Sequence, residues 1–468
     1  MTTADRPVIT EAPASKMTEE AGPRPDEVLT IVRGLAQDLH PGRPLSGEVR
    51  LDSVLDADIG IDSLGRAELL HRLERAFRVH LPENLLVRAK TPRDLFAAIR
   101  LALPEGAPAA VARFKPAVPE TYSEPKEAET LIEALEWHVD AHPDRPHLLL
   151  SASSGETEPI TYGSLSENAR RVAGGLQRVG LEPGDRVAIM LPTEADFFYA
   201  FFGVLYAGGV PVPIYPPVQM SRIEEHTRRQ AGILKNAGAT VFITLPAGLR
   251  LAALLKPLVP SLQTVETVAG LRDGMSEVIY RPHGDGLGML QYTSGSTGNP
   301  KGVMLSHANL LANIRAMGAA MAIAPTDVFI SWLPLYHDMG LIGMWLGSVY
   351  FGVPVVMMSP LQFIMRPESW LWAAHRHRGT ITAAPNFAFE LCLQNIDDRM
   401  IDGLDLSSLR VIVEGAEPVS ASTLHRFVER FADYGLDAGA LAPSYGLAEN
   451  TVGLTCSPPG RGAVIDRI

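Results

Sequence analysis

The segment Gln291–His307 reads Q-Y-T-S-G-S-T-G-N-P-K-G-V-M-L-S-H, a composition suited to holding phosphate. Gly295, Gly298 and Gly302 let the backbone bend tightly and turn its N–H groups toward an anion. Thr293, Ser294, Ser296 and Thr297 add hydroxyl donors, and Lys301 adds a positive charge. Pro300 stands where a Walker A loop requires glycine before its lysine, so this is a different kind of phosphate loop. A flexible surface linker needs no lysine and would not run directly into the apolar residues Val303–Leu305.

Four other short segments carry residues capable of chemistry. Trp332–Gly343 places His337 and Asp338 before an apolar run, where a lone histidine is ordinarily a hydrogen-bonded core residue. Gly415-Ala416-Glu417-Pro418 follows the apolar run Arg410–Glu414. Ser444-Tyr445-Gly446-Leu447-Ala448-Glu449 reads on its own as a turn entering a helix, with Glu449 favourable in the first turn. Gly60-Ile61-Asp62-Ser63-Leu64 precedes an amphipathic helix, for which Asp62 or Ser63 would be the N-cap.

Several kinds of element must position these residues. Val28, Ile31, Val32, Leu35 and Leu39 share one helical face, and Leu64, Ala67, Leu70, Leu73 and Phe77 mark a second helix. Thr91-Pro92-Arg93-Asp94 supplies a cap, a proline at the first helical position and an acid at the third. These signals predict an all-α four-helix bundle over residues 25–103, behind a disordered terminus at 1–24. Prolines at 104, 108, 116, 119 and 125 predict an extended tether over 104–128. From Leu131 onward, amphipathic helices alternate with short apolar runs. Besides Arg410–Glu414 these are Arg186–Leu191, Val210–Ile214, Thr240–Thr244, Val353–Met358 and Gly379–Ala383. The alternation predicts an α/β fold of layered, largely parallel sheets over 129–468.

Two uncharged stretches, Phe197–Met220 and Met339–Met365, are long enough to be tested as membrane spans. Each is broken by glycine and proline near its middle, which fits a buried helix followed by a buried parallel strand. The two even echo one another, G-V-L-Y-A-G-G-V-P-V from Gly203 and G-S-V-Y-F-G-V-P-V from Gly347. The chain's 468 residues call for two to four folded units. A net charge of -12 without a basic block argues against nucleic acid as a partner. Cys392 and Cys456 provide neither a disulfide framework nor a zinc site, so a reducing cytoplasm is expected. Met1–Arg24 lacks the apolar core of a signal peptide.

Taken in order, Thr161 to Val187, Tyr292–Gly302, Pro334–Gly340, Gly415–Pro418 and Ser444–Glu449 resemble the motifs of the adenylate-forming ligases. That family includes acyl-CoA synthetases, luciferases and peptide-synthetase adenylation domains. The resemblance implies ATP-dependent activation of a carboxylic acid. Residues Thr293 to Lys301 would hold the β- and γ-phosphates. Gly415, Ala416, Glu417, Ser444, Tyr445 and Gly446 would surround adenine, with Tyr445 against the ring. Glu449 would bind Mg²⁺, a hard cation that prefers carboxylate oxygen. His337 would gate the acyl pocket from ATP. Asp338 lies near the place where amino-acid adenylation domains pair an Asp with the substrate ammonium.

His337–Gly343, Ala384–Leu391 and Ser444–Glu449 are most similar to fatty acyl-AMP ligases, and Ala448 stands where acyl-CoA synthetases usually carry threonine. Met339, Leu341, Ile342, Trp345, Phe387 and Phe389 would suit an alkyl chain or would be ordinary core. The N-terminal bundle resembles an acyl carrier protein with attachment motif G-I-D-S-L. Ser63 would then carry 4′-phosphopantetheine, installed by a phosphopantetheinyl transferase, and this or a downstream carrier would accept the acyl group. Arg66, Arg72, Arg75 and Arg78 depart from the usual acidity of carrier helices. The family's ribose-binding Asp, hinge and lysine-bearing C-terminal lid cannot lie within Thr455–Ile468, so these residues alone are expected to adenylate weakly. An amino-acid or aryl-acid adenylation domain and a non-catalytic carrier and docking protein are the competing readings.

Overall fold

The computed structural model describes residues 24–466 apart from 40–48, 57, 62, 78, 80, 82–84, 86–88, 103–123, 152–156, 217–222, 274–278 and 294–299. The terminus at 1–23 and most of the expected tether lie outside the described residues.

Three helices of the N-terminal unit are described, Pro25–Leu39, Ser63–Phe77 and Pro92–Leu101. Their apolar faces meet around Val28, Val32, Leu35, Leu70, Leu73, Leu95 and Ile99, all nearly inaccessible to solvent. The third helix starts as its sequence dictates. The Thr91 hydroxyl accepts from the Asp94 N–H, and the Asp94 carboxylate accepts from the Thr91 N–H. Two basic residues of the Ser63–Phe77 helix are paired within the bundle, Arg66 with Asp56 and Arg72 with Asp38 and Glu68.

The remainder is built on three sheets. The largest has eight strands in the spatial order Gly453–Cys456, Leu441–Gly446, Val411–Glu414, Ile381–Ala384, Phe329–Ser331, Val355–Met357, Pro146–Ser151 and Thr157–Thr161. Its interior pairings are parallel and only the two edge strands are antiparallel. A second, all-parallel sheet orders Val210–Pro213, Arg186–Met190, Ala239–Thr244 and Thr264–Glu266. The third is an antiparallel hairpin of Leu287–Thr293 with Lys301–Ser306.

The described parts of both uncharged stretches are folded into this α/β body. Ala195–Tyr206 is a buried helix, stopped by Gly208 at φ +88° before the strand Val210–Pro213. Met339–Leu346 forms a wide helical turn that continues into Gly347–Phe351, stopped by Gly352 at φ +64° before Val355–Met357. Glycine suits both stops because a Cβ strains the left-handed region. Among the described residues no helix is long and apolar enough to cross a membrane. The tether expected through residue 128 ends earlier. Arg315 donates to the carbonyls of Lys126 at 3.0 Å and Ala128 at 2.6 Å, and Ala128 is buried.

Ionisable groups in the core make stability depend on pH in two opposite ways. His138 and His147 flank the Tyr162 ring, each 4.7 Å from its centre, and burial pushes them down to about 4 and about 3. The unfolded chain takes up these protons first, so the stability from neutral imidazoles is complete above pH 6.5 and falls with further acidification. Glu414 is fully buried, and neither carboxylate oxygen has a hydrogen-bond partner among the described residues. Burial, with Glu417 nearby, raises it from 4.5 to about 7. Its neutral form favours folding, and that contribution is lost as pH rises from 4.5 toward 7. Chemical denaturation should therefore show the chain weakening between pH 6.5 and 4. Glu414→Gln should stabilise it by about 1–3 kcal/mol at pH 8 and by much less at pH 4.5.

Candidate active site

Ile381–Ala384, Val411–Glu414 and Leu441–Gly446 run parallel, with Ala384 opposite Glu414 and Glu414 opposite Pro443. The segments after these strands therefore leave the sheet at one edge, where parallel α/β sheets place their ligands. A cavity of about 520 Å³ opens there. It is lined by Thr293 and Lys301, His337 to Met339, Gly415 and Ala416, and Ser444 to Glu449. Segments scattered along the sequence thus converge on one space.

Thr293 stands opposite Lys301 in the hairpin and Tyr292 opposite Gly302. A Cβ on Gly302 would lie 2.9 Å from the Tyr292 ring, so glycine lets the strands close beside it. The Tyr292 hydroxyl donates to Asn236 at 2.6 Å, and the Gln291 amide donates to the Tyr336 carbonyl at 2.9 Å. These bonds fix the hairpin relative to the residue preceding His337. Ser294, Gly295, Ser296, Thr297 and Gly298 lie outside the described residues. Thr293 and Lys301, which bracket them, both reach the cavity.

The His337 Nδ1 lies 2.9 Å from the Asp338 carboxylate, which holds the imidazole above its ordinary pKa. The same carboxylate accepts the Met339 N–H at 2.7 Å and caps the following helix. Asp338 is therefore committed on two sides.

Across the cavity, Ala416 takes a left-handed φ of +71°, a strained setting for alanine. Gly415 beside it allows close approach to the next strand, since a Cβ would lie 3.0 Å from the Ser444 carbonyl oxygen. Ser444 donates its hydroxyl to the Ala442 carbonyl. Tyr445 is 62% exposed at the mouth, and Glu449 is exposed on the turn Ala448–Asn450. Glu417 does not line the cavity. Its carboxylate accepts the Phe387 N–H at the start of the helix Asn386–Asn395.

The apolar end of the cavity corrects the expected alkyl path. Met339 lines it, but Leu341, Ile342, Trp345 and Phe389 are fully buried core residues. The Trp345 ring sits 4.8–6.1 Å from those of Phe197, Phe198, Phe201 and Phe202 and donates its N–H to His147. Phe387 is 46% exposed, outside the cavity. The wide turn of Met339–Leu346 turns Met339, Gly343 and Met344 toward the cavity and Ile342 and Trp345 away from it. Ile314, Met317, Met321, Phe329 and Phe351 complete the apolar arm, and the sequence reading missed all five. A usable signal existed, since Ile314, Met317 and Met321 recur at helical spacing soon after the phosphate loop. Asn313 was also missed. It donates to the Gly453 carbonyl at 2.8 Å and accepts the Gly453 N–H at 3.0 Å.

No group of three or more His, Cys, Asp or Glu among the described residues could hold a metal unaided. A lone exposed carboxylate such as Glu449 fits Mg²⁺, which keeps several waters and takes further oxygens from phosphate. Ser63 opens the helix Ser63–Phe77, whose positive end suits the phosphate of a pantetheine arm.

Comparison with known proteins completes the picture. The family described as AMP-binding enzyme matches residues 135–467, and the phosphopantetheine attachment site family matches 41–99. The medium-chain fatty acid–acyl-carrier-protein ligase JamA of Moorena producens is 34% identical over 343 residues, covering 72% of this chain and 58% of that protein. The long-chain fatty acid–AMP ligase FadD26 of Mycobacterium marinum is 34% identical, covering 66% of this chain and 53% of that protein. Among solved structures, a fatty acyl-adenylate ligase from work on the E. coli and L. pneumophila enzymes aligns with a TM-score of 0.69 at 33% identity. That alignment covers 74% of this chain and 62% of the other. The L. pneumophila enzyme in complex with acyl adenylate and pyrophosphate aligns at 0.67 and 31%, covering 73% and 59%. This chain spans roughly half the length of the curated relatives it matches, from 49% to 58%. Matched through the strands that carry the cavity, it belongs to the AMP-binding enzymes, with a phosphopantetheine attachment domain ahead of the ligase fold.

Proposed function

We propose that this chain is the activating and carrying part of a fatty acyl-AMP ligase. It would use ATP to activate a fatty acid and pass the acyl group to a pantetheine thiol on Ser63 or on a downstream carrier, loading a biosynthetic assembly line. The observation that carries this reading is the make-up of the cavity lining. Thr293, Lys301, Glu449 and His337 share one space with the apolar side chains Ile314, Met317, Met321, Phe329, Met339 and Phe351.

In this scheme the carboxylate of the acid attacks the α-phosphorus of ATP, and pyrophosphate leaves with the electrons of the broken P–O bond. Lys301 and the hydroxyl of Thr293 stabilise the β- and γ-phosphates as charge collects on them. Mg²⁺ held by Glu449 would offset further phosphate charge. Gly415, Ala416 and Tyr445 flank the adenine. Ser63, or its counterpart on a downstream carrier, would hold the pantetheine arm, whose thiol would supply the acceptor for the acyl group as AMP is released. Asp338 already binds His337 and the Met339 N–H, which weighs against its pairing with a substrate amine.

The test begins by converting the chain to its holo form with a phosphopantetheinyl transferase and coenzyme A. Ser63→Ala should take up no pantetheine mass. The holo chain is then given a full-length version that carries the C-terminal lid, together with ATP and mixed fatty, aryl and amino acids, and the intact protein is weighed. A fatty acyl adduct is expected, whereas an aminoacyl or aryl adduct, or none, would overturn the reading.

Two substitutions probe the ends of the cavity. In the full-length version, Lys301→Ala should lower ATP–pyrophosphate exchange about 100-fold without moving the melting temperature. A Cβ at Gly318 would fall 1.9 Å from the Phe351 ring, which forms one wall of the apolar arm. Gly318→Ala should therefore displace that ring, destabilise the fold by about 1–3 kcal/mol and alter which acyl chain lengths are accepted. Removing the carboxylate that raises His337, in Asp338→Asn, should shift any His337-dependent limb of the pH–rate profile to lower pH.

A further inference from the structure

The short helix Pro360–Met365 has apolar residues on two opposed sides. Phe363 is fully buried in the ligase body, its ring stacked on Trp332 at 3.9 Å. Leu361 and Met365, one turn apart, face the other way and pack into the core of the N-terminal bundle, where Met365 is only 4% exposed. Without the bundle that second side would be bare hydrocarbon on the surface of the ligase.

Arg366 follows at a sharp corner, its N–H bonded to the Gln362 carbonyl and its chain turned by Pro367. Its guanidinium grips Glu74 of the Ser63–Phe77 helix through both carboxylate oxygens and also reaches the Leu81 carbonyl. Glu74 itself accepts the Leu81 N–H at 2.7 Å. One side chain of the ligase thus reads a carboxylate and a carbonyl on two neighbouring segments of the bundle. Both ion-pair partners are largely shielded from water, with side chains 13% and 8% exposed.

We propose that the Pro360–Arg366 corner is a docking seat for the chain's own carrier bundle, keyed by Arg366 on Glu74 and cushioned by Leu361 and Met365. Glu74 lies eleven residues beyond Ser63, about 16 Å along the helix, so the seat grips the end away from the attachment residue. The occupant is the tethered bundle, for which a small contact suffices because the tether supplies a high effective concentration. The seat is also releasable. A buried ion pair recovers hydration when its halves separate, so it sets register more than holding strength. A carrier lacking an acid at the position of Glu74 would leave Arg366 buried and unpaired, and the seat would reject it.

The full chain tests this without any activity measurement, so failure of the adenylation reading would not affect the result. Hydrogen exchange of the 361–366 amides and the small-angle scattering radius are compared in the wild type, Arg366→Glu and Met365→Asp. Both substitutions lie outside the bundle, whose own helical protection and pantetheine uptake at Ser63 should be unchanged. Each should speed exchange in 361–366 about tenfold and enlarge the scattering radius. Adding Glu74→Arg to Arg366→Glu should return both readings toward the wild type. Unchanged exchange and radius in both single variants would overturn the proposal.

Discussion

Parallel strands cannot turn back on themselves, and that constraint organises the whole site. Parallel neighbours are joined by crossovers, so the strands Phe329–Ser331, Ile381–Ala384, Val411–Glu414 and Leu441–Gly446 all end at the same edge. His337 and Gly415 follow their strands and Tyr445 lies near the end of its own, so all three reach that edge. The hairpin bearing Lys301 belongs to another sheet and must be brought to that edge by specific bonds. Gln291 supplies one to the Tyr336 carbonyl and Tyr292 another to Asn236.

Charge is used sparingly within this frame. The chain carries a net charge of -12, yet Lys301 is the one lysine or arginine among the described residues that line the cavity. A polyanion held there must be met largely by backbone N–H groups, hydroxyls and a bound cation, which fixes its position more tightly than a cluster of mobile lysines. Elsewhere charges are cancelled locally, as by Arg410 on buried Asp327, whose carboxylate also receives the Thr380 hydroxyl.

The amino-acid sequence made much of this legible, for identifiable reasons. Six strands, Arg186–Met190, Val210–Pro213, Ala239–Thr244, Val355–Met357, Ile381–Ala384 and Val411–Glu414, announced themselves as apolar runs because buried parallel strands show little polar face, whereas Thr264–Glu266, Leu287–Thr293, Lys301–Ser306 and Phe329–Ser331 did not. The Thr91 cap and the two glycine stops were readable because local backbone geometry demands those residue types. The apolar lining of the cavity was not readable. In Met339–Leu346 nearly every residue is apolar, and a widened turn decides which side chains face the cavity. Trp345 therefore packs on the phenylalanines of a helix distant in sequence, and Met344 takes the place expected of it. Burial was predictable there, but direction was not.

Asn313 joins the two halves of the cavity. It holds both polar groups of the Gly453 backbone, four residues beyond Glu449. Its helix also carries Ile314 and Met317 into the apolar arm, and a Cβ on Gly453 would lie 2.8 Å from the Met317 sulfur. The apolar wall around Met317 and the turn that carries Glu449 are therefore one mechanical piece. Under the proposed scheme, a chain that seated poorly against Met317 would press on the Glu449 turn, so the fit of the tail would be felt at the charged end before any bond is made.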